Sequence, residues 1–158
     1  DRIANAIGII DKNKNYIIID FGTATTFDVV VKNNYLGGVI APGVNLSLKG
    51  LSSRASLIPN IHLSKVSNVI GTNTAKAVKS GFYWGYISMI QGLVQRIENE
   101  KRDSFRIVLT GGNTKYFEDC FKKVVKIDES GLAWQYQDQI NYTTDQDVHV
   151  LNKGLADV

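Results

Sequence analysis

From Tyr16 the chain runs Tyr-Ile-Ile-Ile, stops on Asp20, and then passes through Phe21-Gly22-Thr23-Ala24-Thr25-Thr26. Consecutive β-branched residues are crowded in a helix and pack well on a pleated surface, so Tyr16–Asp20 reads as a strand. No polar residue interrupts it. Both of its faces therefore need cover, and the expected architecture is a sheet sandwiched by helices. Phe27-Asp28-Val29-Val30-Val31 is expected as a second strand. Lys32-Asn33-Asn34 supplies hairpin-turn residues, and Tyr35–Ile40 is expected as a third strand, broken at Pro42-Gly43.

Past Gly43 the period changes from two to that of a helix. A helix is expected from about Val44 to Leu51, followed by an irregular stretch over Ser53–Ser67. Asn73 or Thr74 then caps a long helix reaching about Lys101. Its apolar positions include Ala75, Val78, Phe82, Tyr86, Met89 and Leu93. Arg106–Thr110 reads as a fourth strand, Gly111-Gly112-Asn113 as a tight turn, Thr114–Lys122 as a short helix and Val124–Ile127 as a fifth strand. At the ends, Asp1–Ile7 reads as helix, Asp128–Asp147 is polar with weak signals, and Val148–Val158 is expected to close as strand or helix. A meander followed by alternating helices and strands gives a mixed five-stranded sheet flanked by helices. That α/β order is similar to the ribonuclease-H-like unit of the actin and hexokinase group, where it forms one lobe of an actin-like ATPase fold.

The remaining sequence excludes several functions. A net charge of +3 is too mild for a nucleic-acid footprint. No apolar run approaches the ~20 residues of a membrane helix. With one cysteine, Cys120, the chain has no internal disulfide, so a reducing, cytoplasmic setting is expected. His62 and His149 stand far apart without visible partners, so neither a zinc site nor histidine catalysis is expected. The chain opens on Asp1 inside a helical pattern, without an initiator Met, and reads as trimmed at that point.

Asp20 with Gly22 and Thr23 is the strongest candidate for chemistry. A carboxylate ending a buried strand can hold a cation, Gly22 lets a ligand approach the backbone, and Thr23 offers N–H and O–H donors to phosphate oxygens. The same residues also suit a hairpin turn with polar decoration. Gly111-Gly112 leaves N–H groups before a helix, suited to an anion or nucleotide, or makes an ordinary strand-to-helix connection. Gly71-Thr72-Asn73-Thr74-Ala75-Lys76 lacks the Gly-Lys-Ser/Thr ending of a phosphate loop. Asp1-Arg2 at a helix head can receive and grip a carboxylate ligand, or be solvated end charges. The aromatics Phe82, Tyr83, Trp84 and Tyr86 read as core or subunit interface.

Taken together, Asp1-Arg2-Ile3-Ala4-Asn5-Ala6, Ile19–Thr26, Gly37–Gly43, Leu57-Ile58-Pro59, Ile70–Thr74 and Leu109–Asn113 resemble the type III pantothenate kinases of coenzyme A synthesis. The resemblance implies ATP-dependent phosphorylation of the primary hydroxyl of pantothenate to 4'-phosphopantothenate, with Mg2+ and a monovalent cation, K+ or NH4+. It implies that Asp1 is the catalytic base and that Arg2 and Thr74 bind substrate. Gly22, Thr23, Gly111 and Gly112 would contact ATP, and Asp20 would hold the monovalent cation. It implies a homodimer that completes the pantothenate pocket, with no nucleic-acid or membrane partner. The family has two lobes, and residues 1–158 correspond to the C-terminal one. The N-terminal lobe with its Asp-x-Gly-Asn-Thr phosphate motif is missing from this chain, so the fragment alone is expected to be inactive. The alternative is a non-catalytic binding or regulatory protein of the same fold.

Overall fold

The computed structural model describes residues 13–32, 34–55, 57–121, 124–127 and 133–135. The expected helix at 1–7, Asp1, Arg2, His149 and the expected closing element at 148–158 lie outside the described residues. So does nearly all of 128–147.

The first three strands are β1 (Asn15–Phe21), β2 (Ala24–Val31) and β3 (Asn34–Pro42), and they form an antiparallel meander. β2 begins at Ala24, where the sequence suggests a turn running to Thr26. The ladder pairs Phe21 with Thr25 and Asp20 with Thr26, which shortens the turn to Gly22-Thr23. Helices α1 (Val44–Arg54) and α2 (Thr74–Lys101) follow, then β4 (Arg106–Thr110), α3 (Thr114–Phe117), β5 (Val124–Ile127) and β6 (Ala133–Gln135). Among the described residues the sheet has six strands in the order β3-β2-β1-β4-β5-β6, where the sequence reading counts five. The sixth is a three-residue edge strand antiparallel to β5, too short to show a strand pattern in the sequence. β4 is parallel to both β1 and β5, so the sheet is mixed.

One sheet face and the helices make the core. Ile17, Ile19 and Phe21 of β1, Phe27 and Val29 of β2, and Ile107 and Leu109 of β4 pack with Val44 and Leu48 of α1 and with Tyr83, Ile87, Ile90, Val94 and Ile97 of α2. In β1 the other face is covered as well: Tyr16, Ile17, Ile18 and Ile19 are all buried, which accounts for the uninterrupted apolar run. α2 starts with the Asn73 side chain accepting from the Lys76 N–H at 2.9 Å. It stops at Arg102, whose left-handed backbone (φ 52°) returns its N–H to the Glu98 carbonyl. The expected helix over Thr114–Lys122 breaks after Phe117, and Glu118–Cys120 tightens into a 3-10 turn. Phe117 is fully buried and stacks on Phe21 at 5.0 Å between ring centroids, which anchors the short helix.

Candidate functional site

Because β1 and β4 are parallel and pair Asp20 with Thr110, the two strands end side by side. Their carboxyl ends bring Asp20-Phe21-Gly22-Thr23 against Gly111-Gly112-Asn113. Ligands of α/β sheets bind outside the carboxyl ends of parallel strands. Gly111 sits at φ +91°, and a Cβ there would stand 2.5 Å from Asp20 Oδ1 and 2.7 Å from the Phe21 nitrogen. Only glycine keeps that conformation and leaves the carboxylate uncrowded.

Polar side chains tie the junction together. Asn113 Nδ2 donates to the Phe21 carbonyl at 3.2 Å, across 92 residues of sequence. Its Oδ1 accepts from Asn45 Nδ2, in the first turn of α1, at 2.9 Å. Thr114 Oγ1 donates to the Gly111 carbonyl at 2.7 Å. Gly43, just before α1, lies so close to the Gly22-Thr23 turn that a Cβ would fall onto the Thr23 carbonyl and 2.9 Å from that of Gly22. Behind it, the Tyr86 hydroxyl of α2 donates to the Pro42 carbonyl at 3.0 Å and lies 3.0 Å from Ser47 Oγ.

Of the candidate residues, Asp20, Gly22, Thr23, Gly111 and Gly112 therefore share one junction. Gly22, Thr23 and Gly112 are exposed there, and Asp20 is half-buried. Glycine at 111 lets the second turn pack directly against Asp20 and the Phe21 backbone, and a strand-end carboxylate beside exposed turn residues is the donor set a cation or phosphate group would use. Thr74 is exposed at the head of α2. It is about 18 Å along the helix from Tyr86, which touches the junction. Among the described residues no group of three or more His, Cys, Asp or Glu is arranged to hold a metal.

Sequence reasoning missed the Asn45–Asn113 pair and the cavity beside it. That cavity holds about 480 Å³ and is lined by Asn45, Leu48, Lys49, Ser52, Ser53, Asn60, Ile61 and His62. Nothing local marks Asn45 as functional, because the fold alone brings it to a turn 68 residues away. His62, which has no visible partner in the sequence, lines the cavity wall. Cys120 is not poised as a nucleophile: burial foremost, then the Asp119 carboxylate, pushes its thiol up to about 11. Burial likewise raises Tyr83.

Two solved structures share the fold. A conserved Baf family protein from Campylobacter jejuni matches with a TM-score of 0.58 at 23% identity, over 80% of this chain and 55% of its own. The Alp12 filament structure matches with a TM-score of 0.54 at 13% identity, over 79% and 46%. At this level the molecule is a mixed α/β fold whose parallel strands β1 and β4 end side by side. The sequence identifies it further. The family model for type III pantothenate kinase matches residues 1–96. The type III pantothenate kinase of Pelagibacter ubique is 53% identical over 129 residues, which is 82% of this chain and 52% of that protein. The one from Ruegeria is 37% identical over 158 residues, covering 99% and 57%. The chain belongs to the type III pantothenate kinase family, and it spans about half the length of these relatives.

Proposed function

We propose that this chain is the C-terminal lobe of a two-lobed, cytoplasmic, ribonuclease-H-like kinase that transfers the ATP γ-phosphoryl group to pantothenate. The observation that carries this reading is the junction itself: a strand-end carboxylate packed against a glycine turn, beside the exposed Gly22-Thr23 turn, in a chain of this family. ATP, bound with magnesium, brings the phosphoryl group. Thr23 and the Gly22 backbone face its phosphates, and Gly111-Gly112 faces the nucleoside side. The cavity beside Asn45 takes the adenosine, with amide and hydroxyl groups available to the base and ribose. Asp20 holds the monovalent cation, K+ or NH4+, whose charge offsets that of the phosphates.

In the transfer, the primary hydroxyl oxygen of pantothenate bonds to the γ-phosphorus and the bond to ADP breaks. The hydroxyl proton passes to the Asp1 carboxylate. Arg2 and Thr74 position the substrate. A homodimer completes that pocket. In support, Gly81 and Gly85 have open space where a Cβ would project, inside a groove of about 320 Å³ lined by Leu51, Val78, Phe82, Tyr86 and Met89. Val69 and Ile70 are 66% and 84% exposed near the Thr74 end of the same helix.

The test is a coupled, pantothenate-dependent ADP-release assay on the full-length protein with magnesium and potassium. Asp1→Asn is expected to remove most turnover and leave ATP affinity nearly intact. Asp20→Ala is expected to abolish potassium stimulation. Turnover surviving Asp1→Asn within a fewfold overturns the base assignment, and unchanged potassium activation places the cation elsewhere.

A further inference from the structure

Among the described residues β3 is an edge strand, hydrogen-bonded only to β2, yet its last residues carry the Gly43 contact with the turn proposed to face phosphate. Register is held weakly in glycine-rich strands with little buried surface, and β3, with Gly37 and Gly38 and Ala41 as its buried residue, is such a strand. A slip by one residue would put Pro42 or Val44, each bearing a Cβ, against the Thr23 carbonyl. The Tyr86 hydroxyl fastens the Pro42 end of the strand, and a second hold at the far end would fix β3 lengthwise along β2.

The structure holds a device of that kind at the opposite end of the strand. Val29 pairs with Gly37 and Val30 with Tyr35, so Leu36 is an extra residue and the ladder carries a bulge. Gly37 has the φ of +111° that the bulge demands. Without the bulge, Tyr35 would face Val31, on the sheet side that carries Val29. With it, Tyr35 shares a face with Val30 and Asp28. Gly38, directly across from Asp28, leaves that position free of a side chain. The Tyr35 hydroxyl reaches over it and donates to Asp28 Oδ1 at 3.0 Å. Asp28 is 0% exposed, in a strand whose neighbours Phe27, Val29 and Val30 are core residues. A buried carboxylate is costly to place, and an apolar residue there is often as stable or more so.

We propose that Tyr35 and Asp28 form a register lock. The hydrogen bond between them fixes β3 along β2, and so holds Gly43 against the Gly22-Thr23 turn in the position that receives nucleotide phosphates. Both are positioning residues and touch no ligand. The proposal rests on the nucleotide reading of that turn. Its structural half stands apart from the identity of the phosphoryl acceptor.

The experiment uses the full-length protein, with ATP–Mg2+ titrations, steady-state kinetics and backbone amide shifts of Thr23 and Gly43. Tyr35 is 43% exposed, so Tyr35→Phe leaves the core intact. It is expected to move both amides and raise the KM for ATP about tenfold, with kcat within about twofold. Asp28→Asn keeps an oxygen acceptor for Tyr35 and is expected to retain both the amide positions and the KM. Tyr35 and Gly43 are about 26 Å apart along the strand, and sites that distant ordinarily add. Here Tyr35→Phe with Gly43→Ala is expected to be no worse than Gly43→Ala alone. Unmoved Thr23 and Gly43 amides overturn the lock, and so do simple addition of the two effects or loss of ATP binding in Asp28→Asn. A wild-type protein that binds ATP but leaves pantothenate untouched overturns the kinase reading and not the lock. One that binds no ATP overturns both.

Discussion

Gly111→Ala tests the junction with the smallest possible change, one methyl group. At φ +91° an L-residue loses about 1–2 kcal/mol relative to glycine. The added Cβ would also stand 2.5 Å from Asp20 Oδ1, 2.7 Å from the Phe21 nitrogen and 2.8 Å from its carbonyl carbon. Two of these three atoms are backbone of a buried strand and cannot step aside, so overpacking adds about 1–3 kcal/mol. The sum, roughly 2–5 kcal/mol, corresponds to about 5–15 °C in Tm for a protein of this size class. The assay is thermal unfolding followed by circular dichroism, with and without ATP–Mg2+. Gly50→Ala is the control: Gly50 lies within α1 with no atom near its Cβ position, so the same substitution should stabilise by about 0.5–1 kcal/mol. Expected are opposite signs for the two variants, and loss of the ATP-dependent rise in Tm only for Gly111→Ala. A Tm for Gly111→Ala within about 2 °C of wild type would refute the reasoning, because neither strain nor crowding could then be present.

Two other outcomes follow from contacts described above. Asn113→Ala removes the partners of both the Phe21 carbonyl and the Asn45 amide. It should cost about 1–3 kcal/mol in urea unfolding and weaken ATP binding more than pantothenate binding, as titration calorimetry would show. Cys120, with its thiol raised from 9.0 to about 11, should react with iodoacetamide at pH 8 about a hundredfold more slowly in the folded protein than in urea. In the unfolded chain the thiol ionises first. Its contribution to stability is therefore present below pH 9 and lost as the pH rises toward 11, and Tm should fall across that window.

Much of the fold is readable because period and propensity agree. The three isoleucines of β1 are covered on both faces, and Asn73, one of the two caps the sequence offers, is the cap of α2. What escapes is whatever depends on a neighbour. The bulge at Val29/Val30 has no local signature beyond two adjacent glycines in a strand that also pairs normally. The short helix is anchored at Phe117 by Phe21, far away in sequence, and the extent of the Gly22-Thr23 turn is set by a register between strands. The site divides the same way. Asp20, Gly22, Thr23 and Gly111 announce themselves by residue type and position, and they meet because β1 and β4 are parallel. Asn45 is an ordinary helix-start residue until Asn113 is placed beside it.

That parallel pairing has a consequence for how the protein comes to exist. The β1–β2–β3 meander joins residues close in sequence and can assemble early. β1 meets β4 only after the whole stretch from the end of β1 through α2 has been threaded around, a closure that long-range contacts make slow. The turn at Gly22-Thr23 therefore has no opposite wall until that last large step is complete. A nascent chain released before β4 is made, or one whose β4 has frayed, keeps much of its secondary structure and lacks one wall of the junction. A ligand that bridges the two strand ends binds the finished molecule alone, so its presence draws the folding equilibrium toward completion. If the nucleotide of the proposed function is that ligand, it would act on this chain as a folding partner before it serves as a reactant.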